Sequence, residues 1–267
     1  MHNMKKTGLL FMIIIFTVSC SQVLITGRKQ LVLVSDTELL NMSLQSYKQF
    51  IDSVPLSNDV AQTAMVKKTG TKIATAVEAF LKANGHDAEI VNFQWEFNLV
   101  KDSTVNAFCM PGGKVVFFEG ILPVTQTEAG VAVVMGHEIA HAVANHSKER
   151  LSQQILLSYG ASAADLLFSQ KSEATRYGIQ TLYGLGAQLG VILPYSREHE
   201  YEADRLGLIF MAMAGYDPNE AVAFWERMSA NDPDSRLDFM STHPTNAKRI
   251  ANMKNVLAEA MGYYQKN

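Results

Sequence analysis

The sequence predicts an α+β fold, mostly helical, with a small twisted β-sheet beside one long apolar helix. Three observations carry this. Capping boxes of the form Ser/Thr-x-x-Glu stand before two long periodic segments, at Ser35-Asp36-Thr37-Glu38 and Thr125-Gln126-Thr127-Glu128. Ile73, Ala76, Val77, Phe80 and Leu81 repeat at helical spacing. Strand-like alternation is confined to a short stretch, where Phe93, Trp95, Phe97 and Leu99 interleave with Gln94, Glu96 and Asn98.

Taken in order, residues 1–19 form a separate object. Lys5 and Lys6 precede an apolar run from Gly8 to Ser19. At about a dozen residues it is short of the roughly 18–20 that span a bilayer. It reads as a secretory signal peptide. Thr17-Val18-Ser19-Cys20 resembles a bacterial lipobox, with Thr17 where Leu is preferred. Cys20 would then carry lipid and become the mature N-terminus. The competing reading is an ordinary signal peptide with a coincidental Cys. Residues 20–34 follow as a lipidated N-terminal segment with a Thr26-Gly27-Arg28-Lys29 turn, and residues 35–267 as one domain.

Within that domain a first helix runs from Ser35 to about Asp52. A second follows Asn58 and ends at Asn84-Gly85. The alternating strand comes next, then a turn at Pro111-Gly112-Gly113 and a strand over Lys114–Phe118. The Thr125 box opens the helix that carries residues 137–141. Residues 150–193 are apolar but contain Asp165, Lys171, Glu173 and Arg176, so helices that do not span a membrane are expected there. Another helix runs from about Tyr195 to Met213 and stops at Gly215. Asp217-Pro218-Asn219-Glu220 caps the next, with Pro218 at its first position. The last begins near Pro244.

The 267 residues are 48% hydrophobic and 18% charged, with net charge −3. That is globular composition, and without a basic patch nucleic acid is not an expected partner. There are two cysteines. With Cys20 acylated, Cys109 has no disulfide partner; between Phe108 and Met110 it reads as a buried structural thiol.

Residues 137–141 read His-Glu-Ile-Ala-His. On a helix, i and i+4 share a face, so His137 and His141 can point two imidazoles at one metal ion. Glu138 sits at the edge of that face, where a carboxylate can reach a water on the metal without ligating it. This is the H-E-x-x-H arrangement of zinc hydrolases. Composition alone yields the pattern in roughly one chain in a hundred of this length, so context decides. Its placement about three turns into a capped helix is the context the chemistry requires. Catalytic zinc takes a third protein ligand. Ser196 to Asp204 offers two i, i+4 acidic pairs, Glu200 with Asp204 and Glu198 with Glu202, on different sides of a helix. The first pair could supply a ligand and an acceptor for the free ring N–H of a ligand His.

Four blocks, in order, carry a family resemblance. They are Asn106 through Gly113, the His137–His141 run, Ser196-Arg197 to Asp204, and Ser241 through Pro244 followed by Arg249-Ile250. With the Thr26–Leu31 segment they span nearly the whole mature chain. The chain resembles the HtpX/Oma-type zinc metallopeptidases, relatives of the CAAX prenyl proteases, and their bacterial envelope members above all. The resemblance implies a gluzincin-type metallopeptidase domain holding one Zn2+, with Glu200 as third ligand beside His137 and His141, and Asp204 behind them. It assigns Glu138 as general base. It nominates His243 as oxyanion stabiliser or as a fourth, resting-state ligand, and Arg249 as a positive charge for substrate or intermediate. His86, His146 and His199 gain no such support and are read as surface residues or neighbours of the ligands.

The expected activity is hydrolysis of peptide bonds in misfolded or unassembled envelope proteins. The strand of Lys114, Val115, Val116 and Phe117 is expected to edge the cleft and pair with extended substrate. The expected location is the periplasmic side of the cell envelope, with a lipid anchor on Cys20. Ser21 lacks the Asp that retains lipoproteins at the inner membrane, which points to the outer one. Two alternatives stand: a non-catalytic, chaperone-like assembly lipoprotein with a retained zinc site, and a zinc hydrolase of non-peptide amides.

Overall fold

The computed structural model describes residues 20–156 other than Leu24, together with 196–231, 238–243 and 247–264. The expected leader, most of the expected helices of 150–193 and the expected helix start at Pro244 lie outside the described residues. The chain divides into two compact units, Met1–Glu38 with Ser147–Leu193 and Leu39–His146 with Pro194–Asn267.

In the first unit β1 (Cys20–Gln22) and β2 (Lys29–Leu31) form an antiparallel hairpin. Gly27 takes φ 69° in the connection, a left-handed value that glycine adopts without strain. The sequence signalled the turn but not the two three-residue strands. Residues 147–156 are helical. Arg28 clamps Glu149 with two hydrogen bonds, at 3.2 and 2.8 Å, and the Leu33 N–H donates to the buried Ser152 hydroxyl at 2.9 Å.

Helix α1 (Asp36–Ser53) is opened by the expected box: the Glu38 N–H donates to Ser35 Oγ, and Glu38 accepts in return from the Ser35 N–H. In the second unit α2 (Val60–Ala83) takes Asp59 as N-cap, its carboxylate accepting from the Gln62 N–H. A short helix α3 (Asp87–Ile90) follows. The sheet has three strands in the order β3 (Glu96–Val100), β5 (Lys114–Phe118), β4 (Ala107–Met110). β3 runs parallel to β5 and β4 antiparallel to it. Every residue of β5 is buried. That is why its sequence, Lys-Val-Val-Phe-Phe, does not alternate.

A single 3-10 turn (Glu119–Ile121) leads to α4 (Leu122–Thr125) and then α5 (Glu128–Val143). The cap of α5 is Thr127 and not Thr125: Thr127 Oγ1 accepts from the Gly130 N–H at 3.0 Å, while the Thr125 hydroxyl donates to Leu122 O and closes α4. From Gly130 to Val143 every residue of α5 is buried, as expected of a helix apolar on all sides. It packs against α2, β4, α6 (Arg197–Met213) and α7 (Glu220–Asn231). Helix α7 is regular from Glu220, and ahead of it the Asp217 carboxylate accepts from the Asn219 N–H, the hydrogen bond of a residue that caps a helix start. Helices α8 (Asp238–Thr242) and α9 (Ala247–Tyr263) complete the unit. No described helix is long and apolar enough to cross a membrane.

Helices α5 and α6 cross backbone to backbone. A Cβ on Gly136 would stand 2.7 Å from the Gly207 carbonyl oxygen, and one on Gly207 2.8 Å from the His137 nitrogen. Only glycine at both positions allows this approach, and it sets the acidic residues of α6 beside the histidines of α5.

Candidate metal centre

Helix α5 delivers His137, Glu138 and His141, α6 delivers Glu200 and Asp204, and His243 stands just past α8. The His243 N–H donates to the Phe239 carbonyl, and its ring stacks on Phe239. All six side chains are buried.

His137, His141, Glu200 and His243 bring one donor atom each to a common point, with all four atoms within 4.8 Å of one another. His137 Nε2 lies 3.1 Å from His141 Nε2, 3.2 Å from His243 Nδ1 and 3.4 Å from Glu200 Oε2. Glu200 Oε1 lies 3.0 Å from His243 Nδ1 and 3.4 Å from His141 Nε2. Imidazole and carboxylate donors about 2.0–2.1 Å from a tetrahedral zinc stand about 3.3 Å apart. The donor types and their mutual distances therefore fit a zinc ion.

The charges around the cluster are arranged by proximity. Burial pushes Glu200 toward its neutral form, but Arg249, His243, His137 and His141 outweigh it and hold the carboxyl well below the usual range. Burial also depresses His141, well below the ordinary histidine value, so its ring is neutral and keeps a lone pair. Burial would depress His137 too, yet hydrogen bonds to Asp204 and Glu200 outweigh it and raise its pKa. Glu138 goes the other way. Burial raises its pKa to about 7, with Glu200 adding to the rise and His243, Arg249 and the Cys109 backbone opposing it. Among the described residues Glu138 Oε1 finds no hydrogen-bond partner, and His243 Nε2 stands 3.5 Å away.

Asp204 lies behind the cluster, its Oδ1 3.0 Å from His137 Nδ1. Glu198 is exposed, whereas Glu202 turns to a different buried histidine, His146. Arg249 does not face a substrate. Its guanidinium is buried behind the ligands, donates to both Asp204 oxygens at 2.7 and 2.8 Å, pairs with Glu200 and reaches the His243 carbonyl. Its central carbon sits over Trp225, 3.9 Å from the ring centroid, and the same indole meets the His137 ring edge-on. The expectation that Arg249 supplies charge to substrate is corrected: two acidic side chains and a carbonyl already occupy it. The expectation for Lys114, Val115, Val116 and Phe117 is also corrected. β5 is the middle strand, hydrogen-bonded on both sides, and has no edge to offer. Cys109 is a free, buried thiol, and burial pushes its pKa up.

Sequence reasoning missed Trp225; it left His146 between a surface residue and a neighbour of the ligands, and named Glu202 only in the rival acidic pair, so their contact was not foreseen. A tryptophan in a helix carries no local mark of an arginine partner. His146 follows His141 by five residues, a spacing that does not share a helix face.

The profile of peptidase family M48 matches residues 64–257. The chain is 40% identical over 171 residues to the mitochondrial metalloendopeptidase OMA1 of Schizosaccharomyces pombe, covering 63% of this chain and 48% of that protein. It is 35% identical over 186 residues to the Arabidopsis thaliana protein of the same name, covering 69% and 36%. It is 27% identical over 216 residues to the beta-barrel assembly-enhancing protease of Escherichia coli, covering 78% and 41%. The chain thus spans about half the length, or less, of these relatives. With the matched segment containing the whole buried cluster and most of the second unit, the chain belongs to peptidase family M48.

Proposed function

We propose that the chain is a zinc-dependent endopeptidase in which His137, His141 and Glu200 hold the ion and His243 completes the resting set. The observation that carries this is the four-donor cluster with the Glu138 carboxylate beside it, whose Oε1 finds no hydrogen-bond partner among the described residues. A zinc fold kept only for structure has no use for such a carboxylate, which argues against the non-catalytic alternative. Zinc, when bound, supplies a Lewis acid that acidifies water and polarises a carbonyl. Glu138 takes a proton from the attacking water and returns it to the leaving amine. Asp204 accepts from His137 Nδ1–H and so directs Nε2 at the cluster. Arg249 keeps Asp204 and Glu200 ionised in a buried setting.

An edge for extended substrate is offered by β4, which has one strand neighbour among the described residues. The Phe118 N–H donates to Asn106 O, so Asn106 and Phe118 form a hydrogen-bonded pair. By alternation the backbone groups of Ala107 and Cys109 point away from β5, and the Cys109 backbone bears on Glu138. Main-chain pairing there is indifferent to side chains and favours unfolded polypeptide.

Support for a bacterial envelope setting comes from the lipobox-like Thr17-Val18-Ser19-Cys20 and the likeness to the Escherichia coli relative. We assign residues 1–19 to a leader, 20–34 to a lipidated segment on Cys20 and 35–267 to the peptidase domain. The substrates would be misfolded or unassembled envelope proteins, and the lipid anchor would sit in the outer membrane. Mass spectrometry of the mature protein tests this: an unmodified Cys20 removes the anchor.

Digestion of unfolded casein, with and without chelator, tests the activity. Wild-type protein cleaves and chelation stops it. Glu138→Gln keeps its zinc and loses cleavage. Near-wild-type cleavage by Glu138→Gln overturns the mechanism, and wild-type protein that binds zinc without cleaving restores the non-catalytic reading.

A further inference from the structure

His141 is held from behind by residues outside the metal cluster. Its Nδ1 lies 2.7 Å from His146 Nδ1, and His146 Nε2 lies 2.9 Å from Glu202 Oε2. His146 is fully buried, and His199 stacks on its ring with centroids 4.3 Å apart. An interruption of the helix brings the His141 and His146 rings together. Helix α5 ends at Val143, and Asn145 turns the backbone with φ 58°. A non-glycine residue in the left-handed region is uncommon and costs free energy, although Asn bears it better than most. The turn folds His146 back against the face it would otherwise leave.

The chemistry of the three side chains assigns their protons. A carboxylate only accepts, so His146 Nε2 carries the hydrogen donated to Glu202. For His141 Nε2 to offer its lone pair to a metal, the ring hydrogen must sit on Nδ1, and His146 Nδ1 at 2.7 Å is the acceptor for it. With its hydrogen on Nδ1, His141 keeps its lone pair on Nε2, the atom that faces His137, Glu200 and the common point of the cluster. His137 obtains the same tautomer directly from Asp204. The two histidines of the motif are thus oriented from behind in different ways, one by a carboxylate and one by a histidine with a carboxylate behind it.

We infer that His146 and Glu202 are positioning residues for the metal, fixing the tautomer and ring orientation of His141. The inference rests on the zinc-site reading given above. Partners that orient a ligand histidine typically account for about 10–100-fold in metal affinity.

The test uses the full chain and two readouts, zinc affinity by competition with a chelating dye and thermal melting of the zinc-free protein. His146→Phe keeps a buried ring and removes the acceptor. His146→Asn restores an acceptor oxygen near the position of Nδ1. The expected result is about a 10–100-fold loss of zinc affinity in His146→Phe, with most of it recovered in His146→Asn. Equal affinity in His146→Phe and wild type overturns the inference, and so does an equal loss in both variants, which marks His146 as packing only. If His146→Phe melts below the assay temperature, Glu202→Leu decides: a tenfold or greater loss supports the inference and wild-type affinity overturns it. Wild-type protein that takes up no zinc rejects the metal site itself, an outcome visible before any variant is made.

Discussion

Glu138 shows most directly what burial does to one residue. Its pKa rises from an ordinary 4.5 to about 7 because burial penalises the charged form. In unfolded protein it titrates near the ordinary value. Between these two values the unfolded chain has released a proton that the folded chain still holds. Stability therefore falls as pH rises through this window, and the loss is complete above it. At 1.36 kcal/mol per pKa unit, the cost is about 3 kcal/mol. In zinc-free protein, Glu138→Gln should melt several degrees above wild type at pH 8 and close to it at pH 4. An offset that stays constant across that range sinks the account. Arg249 is the opposite case, a buried cation that two buried carboxylates require. Arg249→Leu should lower unfolding free energy in urea by about 3–5 kcal/mol, because Asp204 and Glu200 lose their counter-charge. A variant with unchanged stability and only a reduced turnover rate would return Arg249 to the substrate side of the site.

At the scale of elements, the site depends on how closely α5 and α6 approach. Gly207→Ala puts a methyl group against the His137 nitrogen and the Gly136 carbonyl carbon, both backbone atoms that cannot swing aside. The helices must part, which should cost about 1–3 kcal/mol and move Glu200 away from the histidines. Gly207→Ala should therefore lose zinc affinity as well as stability; a variant that melts lower but binds zinc as wild type would uncouple the crossing from the site. This crossing was not legible in the sequence, where a glycine inside a helical pattern says nothing about what lies opposite. Helix ends were legible wherever a local box acts alone, as at Ser35. The box at Thr125 misled by two residues because Thr125 serves the preceding short helix. The Lys114–Phe118 strand was recognised, but its place in the sheet depends on Glu96–Val100 and Ala107–Met110, which pair with it across intervening chain. Its unbroken apolar run was the available sign that both faces are covered. Within the motif block the periodicity sufficed for His137, His141 and Glu138. His146 depends on one left-handed residue, which periodicity cannot register.

On the scale of the molecule, the cluster ties together three stretches far apart in sequence. Residues 137–141, Glu200 and His243 all lie in the unit formed by Leu39–His146 and Pro194–Asn267. An ion bound by all three stabilises only the folded arrangement, because the unfolded chain does not hold these donors together. At a free zinc concentration about 100 times the dissociation constant, the gain is about 2.7 kcal/mol. For a domain of this size that corresponds to a melting-temperature rise of about 5–10 °C. Chelation should reverse it. His243→Ala separates the contributions, since it removes the fourth donor and leaves His137, His141 and Glu200. The variant should show a smaller zinc-dependent rise than wild type. It should also cleave unfolded casein faster at saturating zinc, because the position His243 fills at rest is then open to water. Slower cleavage with an undiminished thermal shift would mean that His243 acts on the reacting carbonyl and does not close the resting site. The two measurements together distinguish a donor that holds the site shut from one that assists the reaction.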